Sequence, residues 1–446
     1  LKTLCASTTA LSDPLAKLIA REYWRSINDD EATIILTSLL LGWSVEKVLS
    51  ITLNEITQCG ESYYLRSPWQ FSAPTIPEGS NHLLLSSSDH GLIPLPANLA
   101  MRLLDVIAAS SDPTTMKTQV KGYLAQKLGI QNFRTSLSGI RRNLEYSANA
   151  FLLSPTELDF IHAIDQRDSM QSFYISFEQV KVHTKLISYQ TQLLGLDATT
   201  LKLTPRKNRF GSKRALTFKG VIGIFQVHRD VLSRHWQLTQ PEFHNAFTSY
   251  VIDLYHLVTA ARPSGEGNLT RLYFAPDFSS VLIKDKGGTS LRRTPISYSV
   301  QRVLQNYLQY LEYLQAEVRM IYPRVASSIG AMLDGSDLFF QYWDLETRQL
   351  LPVDSRTIRR FSKAHFDLHA NWHRHTIATH LVKQGSCRES LAVFMGHNPD
   401  MDHWYSELSS LSNTSLERVG RDIAKLIESW KLPLLPPLAF IKGDKS

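Results

Sequence analysis

The chain has 446 residues, 43% hydrophobic and 20% charged, with 21 Gly and 19 Pro; this excludes a disordered or fibrous protein and leaves room for roughly two to four domains. Lys and Arg number 48 against 41 Asp and Glu, a net charge of +7 that suits a polyanionic partner such as nucleic acid without demanding one. No run approaches the ~18 apolar residues of a membrane span, and Cys5, Cys59 and Cys387, none at metal spacing from another, build no disulfide framework, so a reducing, cytoplasmic setting (nucleoid-associated in a prokaryote) is expected.

The chain opens LKTLCASTTA, without initiator Met or a basic-then-apolar leader, as expected of a processed or trimmed chain. The polar first 30 residues carry a helix over Ala16 to Trp24, and the apolar run Ala32 to Leu41 leads through Gly42 into a second periodic segment, Val45 to Ile56. A loop with Pro68, Pro74 and Pro77 follows, then two short strands, HLLLSS and GLIPLP. Residues 97–109 predict a helix with Leu99, Leu103, Val106 and Ile107 on one side, and more helix runs through Leu124, Ile140 and Phe151. We take residues 1–175 as an N-terminal domain. Residues 176–240 hold the densest positive run, Arg206, Lys207, Arg209, Lys213 and Arg214, interleaved with Phe210 and Gly211. Two readings stand there: a solvated surface, or a basic helical region that contacts DNA phosphates.

From 241 to 410 the pattern is clearest. An apolar helix, Phe247 to Ala261, ends at Arg262-Pro263-Ser264-Gly265, and strands are predicted around Leu272–Phe274 and Val281–Ile283. A glycine turn, Lys286-Gly287-Gly288, returns through Arg292 and Arg293 to Pro295. A long helix from Val300 to about Met320 is closed by Pro323. Another runs from Trp372 to Val382, and Ser386 to Glu389 reads as a capping box for a helix that ends at Gly396-His397. Residues 411–446 form a C-terminal helix and tail, whose apolar stripe (Leu416, Val419, Ile423, Leu426, Ile427, Trp430) either closes the domain's own core or docks on a neighbouring protomer. The fold class is therefore α+β, mostly helical, with a small antiparallel sheet.

Arg262, Lys286, Arg374, His397 and Tyr405 follow one another in an order that suits one chemistry. Phosphodiester cleavage by a phenol needs guanidiniums to grip the non-bridging oxygens as charge builds on them. It also needs a general acid for the leaving 5′-oxygen, an imidazole to hydrogen-bond the phosphate, and the tyrosine as covalent nucleophile. Neither a metal-ligand cluster nor a nucleotide-binding glycine loop competes elsewhere in the sequence.

Residues 241–410 resemble the catalytic domain of the tyrosine recombinases (phage integrase family), whose mechanism is shared with type IB topoisomerases. The matching pieces are TAARPSGE, KDKGGTSLRRTPIS, HRHTIATHL, FMGH and DHWYSELS, with His397 eight residues before Tyr405. The resemblance implies that Arg262 and Arg374 clamp the scissile phosphate, Lys286 is the acid, His397 a phosphate donor and Tyr405 the nucleophile. It further implies double-stranded DNA with specific recombination sites as partner, a homo-tetramer on DNA, a Holliday-junction intermediate, and neither metal nor cofactor. Site-specific recombination or integration of a mobile element is the leading function. A type IB topoisomerase-like relaxing enzyme and a catalytically weakened architectural DNA-binding protein are the alternatives.

Two departures matter. Where the family usually has His three residues before the second arginine, this chain has Asn371, with His369, His373 and His375 close by; and Lys284 competes with Lys286. The N-terminal part can also be laid over the C-terminal part, which puts Ser44 on Arg262, Arg141 on Arg374 and Tyr174 on Tyr405. The arginine-to-tyrosine separations are then 33 and 31 residues. Accidental periodicity explains this as well as a degenerate duplicate of the catalytic fold does.

Overall fold

Two helices, buried on nearly every face, each sit at the centre of one part of the chain. The computed structural model describes residues 11–70, 82–88, 90–109, 113–129, 136–163, 174–235, 237–263, 269–284, 291–363, 365–386, 390–391, 394–396 and 410–435. The chain divides into two units. The first holds Leu1–Ser72, Ser87–Ser172 and Phe177–Gly211; the second holds Ala73–Ser86, Phe173–Ser176 and Ser212–Ser446.

The first unit runs α1 (Asp13–Arg25), α2 (Asp30–Leu41), α3 (Val45–Leu49), β1 (Ile56–Cys59), β2 (Ser62–Gln70), β3 (His90–Leu95), α4 (Ala97–Ala109), α5 (Pro113–Gly129), α6 (Leu137–Ser147) and α7 (Pro155–Ile161). The short β4 (Ser176–Glu178), α8 (Gln179–Leu194) and β5 (Arg209–Gly211) follow, with β4 paired to β5. Helix α2 opens on Asp30 and Glu31, which favour the positive end of its dipole, and stops at Gly42 in the left-handed conformation. Every residue from Ala32 to Leu41 is buried, and α1, α4, α5 and α6 all pack around the helix. Tyr189 of α8 ties this core together: its hydroxyl donates to the Leu39 carbonyl (2.9 Å) and accepts from Asn143 Nδ2 (2.9 Å).

Strands β1, β2 and β3 form one antiparallel sheet in that order. The sequence predicts a loop around Pro68, but β2 runs through it. Proline has no N–H to give a ladder, and it falls where the β2–β3 register shifts, between Arg66 and Gln70.

The second unit runs α9 (Phe218–Arg234), α10 (Pro241–Thr259), β6 (Ser280–Lys284), β7 (Leu291–Pro295), α11 (Tyr298–Val318), α12 (Pro323–Asp334), β8 (Gln341–Asp344), β9 (Gln349–Pro352), α13 (Ser355–Ser362), α14 (Trp372–Lys383) and α15 (Ser410–Trp430). Helix α10 is the centre, contacting α9, α11, α13, α14 and β8. One buried carboxylate staples three of these helices: Asp253 of α10 accepts from His228 Nε2 of α9 (2.8 Å) and from His373 Nε2 of α14 (2.9 Å). Burial alone would raise its pKa, but the two imidazole donors hold it well below the usual carboxylate range.

Hairpin β6–β7 matches its expectation, in register from Lys284 opposite Leu291 to Ser280 opposite Pro295. The strand expected at Leu272–Phe274 is instead a 3-10 turn, Arg271–Tyr273. The Arg271 guanidinium curls back onto the carbonyls of Phe274, Ala275 and Pro276 and closes the segment into a turn. Pro323 does not close α11, which ends at Val318; it opens α12, where the missing N–H costs nothing.

The predicted C-terminal stripe is helical, but its partner is its own chain. Leu416, Val419, Ile423, Leu426, Ile427 and Trp430 are buried, and α15 packs on α14 and β7. Trp430 meets the His380 ring edge-on at 4.8 Å, and Ser386 Oγ donates to Asp422 Oδ2 at 2.7 Å. The stripe is therefore a core element in cis, and the trans-docking expectation is corrected. Of the capping box, Cys387, Arg388 and Glu389 lie outside the described residues.

Each unit, taken by itself, follows a similar order. In the first, α1, α4 and α6 pack on α2, with antiparallel strands between α2 and α4; in the second, α9, α11 and α14 pack on α10, with antiparallel strands between α10 and α11. No helix among the described residues is long and apolar enough to cross a membrane.

Candidate active site

Two buried arginines reach the end of α10, and a third follows it in the chain. The helix ends on Ala260 at φ +49°, a left-handed cap that turns the chain toward Arg262. Its final carbonyls carry the negative end of the helix dipole and need donors. Arg292 of β7, buried, supplies them: Nη1 donates to the Thr259 carbonyl (3.1 Å) and Thr294 Oγ1 (2.8 Å), and Nη2 to the Ala260 carbonyl (3.4 Å). Arg374 of α14 donates through Nη1 to the same Ala260 carbonyl and through Nη2 to the Met395 carbonyl (2.7 Å). Arg374 is wholly buried, at 0% exposure. Arg262, two residues beyond the shared carbonyl, is half-buried, and its Nε is buried without a partner among the described residues.

Asn371 caps the N-terminus of α14. Its carbonyl accepts the Arg374 N–H (3.1 Å), its own N–H donates to His369 Nδ1 (3.1 Å), and its Oδ1 is buried with no partner among the described residues. The neighbouring imidazoles are differently placed. His373 is held by Asp253, and His375 Nδ1 lies 2.7 Å from Ser212 Oγ. His369 is pushed down to about 4, by burial first and then by the Arg214 and Arg359 charges, so it is neutral at pH 7. With Nδ1 accepting from Asn371, its proton sits on Nε2, a donor.

Of the residues expected to carry chemistry, Arg262, Asn371 and Arg374 are thus brought to one place, where α10 ends and α14 begins. Lys286, His397 and Tyr405 lie outside the described residues; Lys284 is exposed at the end of β6. The basic run splits: Arg206, Lys207 and Arg209 belong to the first unit, Lys213 and Arg214 to the second. Arg209 is paired with Glu178 (2.8 Å) and Arg206 lies over the Tyr64 ring (5.4 Å), while Lys207 is exposed. Sequence reasoning missed Arg292 and Asp253, whose roles depend on pairing and packing across the fold. The described residues hold no group of three His, Cys, Asp or Glu side chains able to take a metal ion.

No family model matches the chain, and no curated protein matches it. Among solved structures it is similar to the XerH site-specific recombinase bound to its difH substrate in a pre-cleavage complex, at 14% identity, over 88% of this chain and 93% of that one, with a TM-score of 0.27. At that identity and TM-score the likeness bears neither on the fold nor on the chemistry of the site.

Proposed function

We propose that the chain is a DNA strand-breaking and rejoining enzyme of the tyrosine recombinase type. The observation that carries the reading is that Arg374, 112 residues further along the chain than Arg262, reaches the Ala260 carbonyl, two residues before Arg262. Two arginines so close in the fold suit the two non-bridging oxygens of a phosphodiester, with Arg374 exchanging its carbonyl partners for the phosphate when DNA binds. In the proposed reaction the Tyr405 oxygen attacks phosphorus, its phenolic proton passing to solvent, and forms a 3′-phosphotyrosine. The P–O5′ bond breaks, and Lys286 gives its proton to the departing 5′-oxygen. The freed 5′-hydroxyl of a partner duplex then attacks the phosphotyrosine and restores the phenol. Bond energy is conserved in the adduct, so the scheme requires neither metal nor ATP. His397 would donate to the phosphate. Asn371 can donate through its amide but cannot move a proton, so at that position it orients rather than catalyses as a base.

The first unit is proposed as a degenerate repeat of the second, serving DNA binding or assembly. Its support is the matching order of packed helices and strands, with Ser44 at the place of Arg262. The test is incubation with nicked suicide DNA in EDTA, followed by denaturing electrophoresis. A covalent protein–DNA band from the wild type, lost in Tyr405→Phe with DNA affinity kept, is the expected result. No band on any candidate site, with DNA still bound, would favour an architectural protein instead.

A further inference from the structure

Tyr174 belongs to the second unit although the segments on either side of residues 173–176 belong to the first. Its carbonyl accepts from Thr379 Oγ1 (3.1 Å), and the Ser176 N–H donates to the same hydroxyl (3.1 Å). The Ser212 N–H donates to the Ile175 carbonyl (2.9 Å). Residues 174–176 are thereby strapped along α14 through backbone atoms that do not depend on the Tyr174 side chain. That side chain lies with its ring centroid 5.1 Å from Arg374 Cζ and 4.8 Å from the His375 ring. His375 is itself held by Ser212 Oγ.

We infer that Tyr174 is a positioning residue for Arg374: its ring, backed by His375, holds the guanidinium against the end of α10. The two carbonyl bonds, to Ala260 and Met395, hold the guanidinium at its Nη atoms. The ring, in cation–π contact with the charged carbon, adds a hold on its plane. The contact with Arg374 is made through the ring, which Phe retains. The consequence for catalysis rests on the strand-breaking reading proposed above; the consequence for Arg374 does not.

The test uses the full chain with two readouts. In the free protein, the Arg374 Nε–Hε resonance, assigned by its absence in Arg374→Lys, reports the ring current of Tyr174. On suicide DNA, the single-turnover rate of adduct formation at saturating protein reports positioning, and half-saturation reports binding. Tyr174→Phe should match wild type in both. Tyr174→Leu should shift the Arg374 resonance and slow adduct formation roughly tenfold with half-saturation unchanged, the scale of one desolvated cation–π contact. Tyr174→Met takes the place of Leu if the latter does not fold. An Arg374 resonance unmoved by loss of the ring overturns the proposal. So does a Tyr174→Phe variant as slow as Tyr174→Leu, since the hydroxyl would then be the active group. So does an adduct on Tyr174 itself. If the wild type forms no adduct at all, the strand-breaking reading fails, and the rotation rate of the Arg374 guanidinium, read from exchange of its Nη resonances and expected to rise in Tyr174→Leu but not in Tyr174→Phe, still decides the positioning role.

Discussion

Arg292 illustrates what one side chain contributes beneath a site. It donates to the Thr259 and Ala260 carbonyls at the end of α10 and to Thr294. Arg292→Leu should destabilise the protein by about 2–3 kcal/mol in urea unfolding, because buried carbonyls lose donors they had in water. An unchanged midpoint would mean that Arg374 alone satisfies this turn. Arg262 and Arg374 were legible in sequence because their flanking motifs mark them. Arg292 was not. In Arg292-Arg293 only the strand register, which sets Arg292 opposite Ile283, decides which arginine faces inward. Asn371 was legible as a departure, yet its role as cap of α14 emerges only from the hydrogen bonds of its backbone.

Helices with long apolar periods, such as α10, α11 and α15, could be read from spacing because burial along one face is written in the sequence. Strands β8 and β9 and the turn at Arg271 could not, because they depend on partners distant in the chain. The docking partner of α15 was also illegible: a stripe says that a face is covered, not by what. With that stripe buried in cis, removal of residues 410–446 should leave an aggregating or largely unfolded chain. Circular dichroism and size-exclusion chromatography of the truncated protein check this, and a folded, soluble product would restore the trans reading.

Acid should also loosen the first unit through α8. His183 of α8 donates from Nε2 to the Leu92 carbonyl (2.7 Å) and accepts the Arg206 N–H at Nδ1 (3.1 Å), which defines a neutral ring. Burial, and then the Arg206 charge, pushes it down to about 4 although the Leu92 carbonyl pulls the other way. In the unfolded chain it titrates near the ordinary ~6.5. Its stabilisation is therefore present above pH ~6.5 and is lost progressively as pH falls toward 4. His244, buried and pushed down to about 4, acts in the same direction in the second unit. Thermal unfolding should weaken by an amount on the order of 2 kcal/mol per histidine between pH 7.5 and 5; a flat profile across that range would contradict these assignments.

For the molecule as a whole, net charge invites a polyanion but does not say where it binds. The basic run that sequence reading offered is divided between units and partly committed, Arg209 to Glu178 and Arg206 to Tyr64. The stronger claim on function is local, the arginines gathered where α10 ends, and it depends on a tyrosine becoming covalently bound to DNA. Tryptic cleavage places Tyr405 in the peptide Glu389–Arg418 and Tyr174 in Asp168–Lys181, each the sole tyrosine of its peptide. Mass spectrometry of the nuclease-trimmed adduct from suicide DNA can therefore assign the bond to one residue. A nucleotide remnant on the peptide that carries Tyr405 is the expected result. A remnant on any other peptide, with Tyr405 unmodified, would contradict the assignment of the nucleophile and of the site built around it.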